Sequence, residues 1–192
     1  MSHNERCKKC KINVSELLTK LCSEVKVNYN LQLANKPEFF INNSYYPALL
    51  KIFTLLQNSR GYKEFVRSKQ LPNVDFFVVN PGFIVEFDET QHFTKQRMLA
   101  LLNYPHDLPL GFDKQEWIER CMTLRKKDND PPFRDEQRAW YDTVRDFAPV
   151  ILNLNPTVRL FSKDLIWCEL NPEDMRAHLR DKFGGSVLST HI

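Results

Sequence analysis

Apolar residues recur at helical spacing in the first third of the chain. Residues 13–27 carry Leu17, Leu18, Leu21 and Val25 on one face, which predicts a helix there. A second helix is predicted from about Ser44 to Arg60-Gly61, and it should be buried because it is apolar nearly all round. The Asn-rich segment 28–43 between the two helices predicts irregular structure.

The middle of the chain carries the clearest strand pattern. Two runs rich in β-branched and aromatic residues, 74–79 and 83–88, flank Asn80-Pro81-Gly82. Pro-Gly favours a turn, so these runs predict a β-hairpin. Shorter runs at 63–70, 157–161 and 165–169 also predict strands.

Four further helices are predicted from capping residues and apolar spacing. They cover 94–102 with Thr94 as cap, 113–126 from an Asp113 capping box, 134–147, and a last helix with Pro172 at its first position. Helices alternating with a hairpin and later strands indicate an α/β domain around one sheet.

The composition fits one globular domain. The 192 residues are 42% hydrophobic and 27% charged, which excludes disordered and collagen-like classes. No apolar run approaches the roughly 18 residues of a membrane span, so no membrane partner is expected. No apolar stretch follows the charges near the N-terminus, as a secretory signal would require, so a cytoplasmic location is expected.

The charge is unevenly distributed along the chain. The formal net charge is +3, too small to indicate a nucleic-acid binder by itself. Residues 1–74 carry +7 and residues 75–192 carry −4. The basic half, with its run at residues 6–11, could face a polyanion, or it could simply be solvated.

Five cysteines without a signal sequence indicate reduced thiols. Cys7 and Cys10 form one C-x-x-C pair, whereas a structural zinc site needs four ligands, usually from two such pairs. Zinc is therefore not expected, even with His3 as an additional donor. A small metal-binding module based on these cysteines remains a separate hypothesis.

Three acids stand out on the predicted hairpin. With a two-residue loop, Asp75 would pair with Asp88, and Phe77 with Glu86. Alternation would then bring Asp75, Glu86 and Asp88 to one face. Like charges placed opposite each other destabilise a hairpin, and a divalent cation such as Mg²⁺ would offset this cost. The alternative is an edge strand protected from aggregation by charge.

These residues resemble a known family. Pro72 with Asp75, followed by the hairpin and Glu86-Phe87-Asp88, resembles the PD-(D/E)XK nuclease superfamily, and VEFDETQHF (85–93) resembles the very-short-patch-repair type of endonuclease within it. The resemblance is specific over 72–93 and looser over 157–183.

The resemblance implies a restriction-endonuclease-like fold, with a mixed sheet flanked by helices. It also implies phosphodiester hydrolysis that depends on Mg²⁺ (or Mn²⁺), with DNA as the expected substrate, and a homodimer is a further possibility. The domain organisation we expect is an N-terminal helical arm at 1–40, a nuclease-like domain at 41–185 with a helical insertion at about 104–149, and a flexible tail at 186–192.

The resemblance also implies site residues. Asp75 and Glu86 would hold the metal with the carbonyl of Phe87, and Asp88 could be a third ligand. Two departures stand out: Pro72 is separated from Asp75 by two residues, and Asp88 occupies the position of the usual catalytic lysine. A catalytically inactive nuclease-fold module that binds nucleic acid or a protein is therefore the alternative function.

Residues after the hairpin could take over the missing role. His92 could act as a general base or acid, and Gln91 could orient a water. Lys95 and Arg97 could contact phosphate, although such helical residues are usually solvated.

A basic stripe on the 134–147 helix is a further candidate nucleic-acid contact. Arg134, Arg138 and Arg145 share a face with Tyr141, which suits phosphate and base contacts. The alternative is an ordinary helical ion pair between Arg138 and Asp142.

Overall fold

The computed structural model describes residues 8–22 and 24–183. That part of the chain contains six α-helices and four β-strands. The elements are α1 (Lys8–Cys22), β1 (Val25–Tyr29), α2 (Tyr46–Ser59), β2 (Val74–Val78), β3 (Phe83–Asp88), α3 (Lys95–Leu101), α4 (Lys114–Leu124), α5 (Arg134–Leu152), β4 (Asn155–Phe161) and α6 (Pro172–Phe183), with short 3-10 turns at Pro37–Phe40 and Thr90–His92.

The strands form one mixed sheet in the order β1-β2-β3-β4. The pairs β1–β2 and β2–β3 are antiparallel, and β3–β4 is parallel. One core lies between the sheet and α1 and α6, and a larger core includes α2 to α5. Every residue of β3 is buried, because helices cover both of its faces. The predicted α/β class is confirmed.

The hairpin forms at the predicted residues, but in a different register. Phe77 pairs with Ile84 rather than Glu86, so Asp75 lies across from Glu86 rather than from Asp88. The reason is a four-residue turn over 79–82, where a two-residue loop was expected. A shift of two residues preserves the alternation of faces, so Glu86 and Asp88 remain on one face, the face that α5 covers. Asp75 lies one residue beyond the last ladder pair and contacts Lys11 of α1.

Four other predictions differ from the structure, although α1 confirms the first predicted helix as far as Cys22. The predicted helix 13–27 and irregular segment 28–43 overlap β1, whose Val25 and Tyr29 pair with β2. Residues 63–70 form no strand beyond one bridge from Gln70 to Ala34, and 165–169 form turns. For β1, long-range pairing decided the outcome, and local propensity does not include it.

The helix starts after Thr94 and Asp113 are confirmed. The Thr94 side chain accepts a hydrogen bond from the Arg97 N–H, and Asp113 accepts from two N–H groups of the first turn of α4. The last helix begins at Pro172, as expected. α5 continues to Leu152, beyond the predicted end at 147, and Asn153 in the left-handed region ends it.

In the described ranges, no helix combines the length and the apolar character needed to cross a membrane. The expected tail at 186–192 lies outside the described residues.

Candidate active site

The pairing between β2 and β3 ends where two acids meet. Phe76–Val85 is the last backbone pair between the two strands. Beyond it, backbone N–H groups donate to side-chain carboxylates of the opposite strand. The N–H of Asp75 donates to Glu86 Oε1 at 3.3 Å, and the N–H of Phe87 donates to Asp75 Oδ2 at 2.9 Å. The two carboxylates are thereby held next to each other on adjacent strands.

The two acids differ in exposure. The Asp75 side chain is 26% exposed, whereas Glu86 is buried on the α5 side of the sheet. Burial raises the pKa of Glu86 to about 7. Arg145, whose Nε lies 3.3 Å from Glu86 Oε1, lowers this pKa, and the nearby charge of Asp75 raises it. A cation bound between these carboxylates would stabilise the ionised form of Glu86.

Lys11 contacts this pair from α1. Its Nζ lies 2.7 Å from Asp75 Oδ1 and 5.8 Å from the centre of the Phe87 ring. Sequence reasoning treated Lys11 only as part of a basic run. The signal for its position on the sheet-facing side of α1 is its spacing to Val14 and Leu18, because positions i, i+3 and i+7 share a helix face. Both apolar residues are buried.

Asp88 is engaged elsewhere. Its Oδ1 accepts from Arg159 Nη1 at 2.7 Å, and its Oδ2 accepts from Trp117 Nε1 at 2.8 Å. All three residues are buried. The third acid of the predicted metal site therefore points into a protein-filled environment rather than towards Asp75.

His92 joins Asp88 to α5. Its Nδ1 lies 2.9 Å from Asp142 Oδ2 and 3.6 Å from Asp88 Oδ1. Burial lowers the pKa of His92, but Asp142 more than offsets this, so the pKa lies above its ordinary value. Burial also acts to raise the pKa of Asp142, yet His92 and Arg159 hold it well below its usual range. Each of the two residues therefore favours the charged form of the other.

Asp88, His92 and Asp142 also form a group that could hold a metal ion. Their ligand atoms lie within 4.8 Å of one another. Among the described residues, no other group of three or more histidine, cysteine or acidic side chains meets this criterion. Arg159 reaches the same carboxylates, so a cation here would lie close to a buried guanidinium.

Arg97 lies inside the protein rather than on its surface. Its guanidinium contacts Asp146 Oδ2 at 2.6 Å and the Tyr104 hydroxyl at 2.7 Å, and it is 1% exposed. Asp146 also accepts from Arg159 Nε at 2.7 Å. The predicted contact of Arg97 with phosphate does not fit this position, because the residue serves as a counter-ion within the core.

The arginines of α5 do not form a uniform basic face. Arg145 is buried and donates to the carbonyls of Pro72 and Asn73 at 3.3 and 3.1 Å. Arg138 pairs with Asp128 at 2.9 Å, and not in the helical pair with Asp142 that was the alternative. Arg134 bonds within its own turn, to Gln137 Oε1 at 3.0 Å.

The remaining candidates lie nearer the surface. Lys95 is exposed at the start of α3. Gln91 donates to Glu89 Oε2 at 2.7 Å, and its carbonyl accepts from Arg138. Of the cysteines, Cys10, Cys22 and Cys121 are buried, while Cys7 and His3 lie outside the described residues.

Sequence reasoning missed Arg159 and Asp146. The available signal was a charged residue between Val158 and Leu160 in a predicted strand, because an arginine buried in such a strand requires an acidic partner. Asp146 is one such partner, together with Asp88.

The chain matches no protein-family model, no curated protein and no solved structure.

Proposed function

We propose that this protein is a Mg²⁺-dependent nuclease that hydrolyses phosphodiester bonds in DNA and has a restriction-endonuclease-like fold. The observation that carries the proposal is the Asp75–Glu86 pair, two carboxylates side by side where β2 and β3 separate. The mixed sheet with helices on both faces is compatible with the fold that the sequence resemblance implies.

The donor set of this pair suits Mg²⁺. This cation binds proteins through one or two carboxylates and completes its shell with waters and substrate phosphates. Asp75 is partly accessible, and the raised pKa of Glu86 records the cost of a buried carboxylate beside a second one. Asp75 and Glu86 would hold the ion with the Phe87 carbonyl. Asp88 does not fit, because it is 1% exposed and its carboxylate is paired with the buried guanidinium of Arg159.

When bound, the cation would polarise the phosphate and lower the pKa of a coordinated water. The residues of the chain provide the remaining functions. Arg145 forms an ion pair with Glu86, and Asp142 fixes the orientation of His92 through Nδ1. His92 is 18% exposed and is the candidate proton donor of the site.

The test is cleavage of supercoiled plasmid, linear duplex and single-stranded DNA with Mg²⁺ or Mn²⁺. Asp75→Asn and Glu86→Gln should each lower the rate by more than about 100-fold, since even residues that only orient metal ligands matter by roughly 10–100-fold. Glu24→Gln is the matched control, because Glu24 is an exposed acid with a side chain 62% accessible. Wild-type rates in both site variants would refute the site.

A specific observation also favours the alternative, a nuclease-fold module that binds DNA without cleaving it. Lys11 and Arg145 each lie within 3.3 Å of one of the two carboxylates, so the pair is already neutralised without a metal. This alternative predicts salt-dependent DNA binding without cleavage. It also predicts that calorimetry detects no Mn²⁺ binding that depends on Glu86, so the wild type and Glu86→Gln give the same heats.

A further inference from the structure

We propose that Lys11 binds a phosphate of the substrate strand beside the Asp75–Glu86 pair, and so supplies the positive charge that Asp88 cannot supply. The inference rests on the proposed function and adds a substrate-binding residue to it. Three observations carry it: the fixed position of Lys11, its accessibility, and the cavity next to it.

Packing fixes the position of Lys11. The helix α1 buries Val14, Leu17 and Leu18 against the sheet and α6. The amide of Asn13 ties the same turn of α1 to the segment before α6, donating to the carbonyls of Trp167 and Leu170 at 2.7 and 3.0 Å. Lys11 is therefore held at the opening between β2 and β3 by a well-anchored element.

Lys11 is accessible where the neighbouring cations are not. Its side chain is 39% exposed, compared with 10% for Arg145 and 0% for Arg159. An ammonium group has three donors, and Asp75 accepts from it at 2.7 Å. Lys11 can therefore keep Asp75 oriented while it donates to a phosphate oxygen.

A cavity of about 410 Å³ adjoins Lys11 and Asp75. Ser15, Asn28 and the acidic Glu16 supply polar groups to its wall, and the exposed Ile12 and Val27 supply apolar surface. Its size falls within the range of small-ligand pockets, and its lining suits the sugar or base next to a phosphate. A nucleotide placed here would bring its phosphate to Lys11 and to Asp75, the accessible member of the acid pair.

The experiment measures binding separately from cleavage. Fluorescence anisotropy follows a labelled 20-base-pair duplex and a 20-nucleotide single strand in CaCl₂ over a series of NaCl concentrations. Lys11→Ala and Lys11→Met should weaken binding about tenfold or more, the value of a hydrogen bond to a charged group, and should reduce the salt slope by about one released ion. Lys11→Arg should restore most of the affinity.

Lys20→Ala is the matched control. Lys20 is exposed on the same helix, nine residues from Lys11 and thus on the opposite side of it. The Lys20→Ala variant should change the affinity for DNA less than about twofold. Thermal unfolding of each variant verifies the fold, and Lys11→Met retains the aliphatic stem beside Phe87 if the alanine variant is unstable.

The outcomes separate the two proposals. If the wild type binds and cleaves DNA but the folded Lys11→Met protein binds like Lys20→Ala, the role of Lys11 is refuted and the proposed function stands. If the wild type neither binds nor cleaves DNA, both proposals are refuted. A loss confined to Lys11→Ala and Lys11→Met, with recovery in Lys11→Arg, supports the phosphate contact.

Discussion

Asp146 is the carboxylate on which the buried ion network converges, so its replacement by asparagine should destabilise the fold strongly. Asp146 is 0% exposed. Its Oδ1 accepts from Arg159 Nε at 2.7 Å, and its Oδ2 accepts from Arg97 Nη2 at 2.6 Å and from the Tyr104 hydroxyl at 2.7 Å. Asp146→Asn keeps the size of the side chain and removes its charge.

The expected loss follows from the charges that remain. Removing one partner of a buried ion pair typically costs about 3–5 kcal/mol, because the other charge stays buried without compensation. Here Arg97 loses its acidic partner, and Arg159 loses one of its acidic partners. The amide N–H₂ of the new asparagine would also face a group that is itself a hydrogen-bond donor. We expect a loss of about 3–5 kcal/mol, against a total of roughly 5–15 kcal/mol for a domain.

Urea unfolding monitored by tryptophan fluorescence and circular dichroism measures this loss. Asp130→Asn is the control, because Asp130 is an exposed aspartate just before α5 and its change should stay within about 0.5 kcal/mol. A loss below about 1 kcal/mol in Asp146→Asn would mean that these charges are not as tightly buried as the network requires.

Three further changes test other parts of the structure. Burial raises the pKa of Glu86 from 4.5 to about 7, so the folded state keeps a proton that the unfolded chain releases. In a buffer with EDTA, the wild type should lose roughly 3 kcal/mol of stability relative to Glu86→Gln as the pH rises from 4.5 to about 7, and parallel pH curves would contradict this. Trp117→Phe removes the buried donor to Asp88 Oδ2 and should cost about 1–3 kcal/mol in urea unfolding. Arg125 has a φ of 45° at the end of α4, so Arg125→Gly should raise the melting temperature, with a gain of up to about 1 kcal/mol; a lower melting temperature would contradict the left-handed conformation.

The hairpin shows what sequence patterns can predict and where they fail. Its strands and the shared face of Glu86 and Asp88 follow from the period of two along a strand. The register depends on the number of residues in the turn, and Pro81-Gly82 does not determine that number. Which acids meet was therefore beyond the sequence.

The edge strand β1 was missed for another reason. Val25 falls at helical spacing after Leu18 and Leu21, so local periodicity extended the helix through it. Its pairing with Val78, more than fifty residues away, decides its conformation, and no local pattern contains that information.

The buried arginines were the largest error. Helical spacing places Arg138 and Arg145 on one stripe, and a charged stripe normally faces water. The acids that hold Arg145 and Arg159 come from β3 and from other turns of α5, so their burial is a property of the tertiary structure. Sequence periodicity cannot distinguish such a face from a solvated one.

The acidic face of β3 therefore has two ends with different physical properties. At the Asp88 end, Arg159 and Trp117 occupy the carboxylate, and this buried contact fixes β3 against β4 and α4. At the Glu86 end, the strands separate and the contacts reach the accessible side chains of Asp75 and Lys11. A functional carboxylate is held most precisely by a rigid neighbour on the same strand. An aspartate in place of the usual lysine is thus compatible with an active site, provided that the positive charge comes from another element, and α1 places Lys11 where that charge is needed.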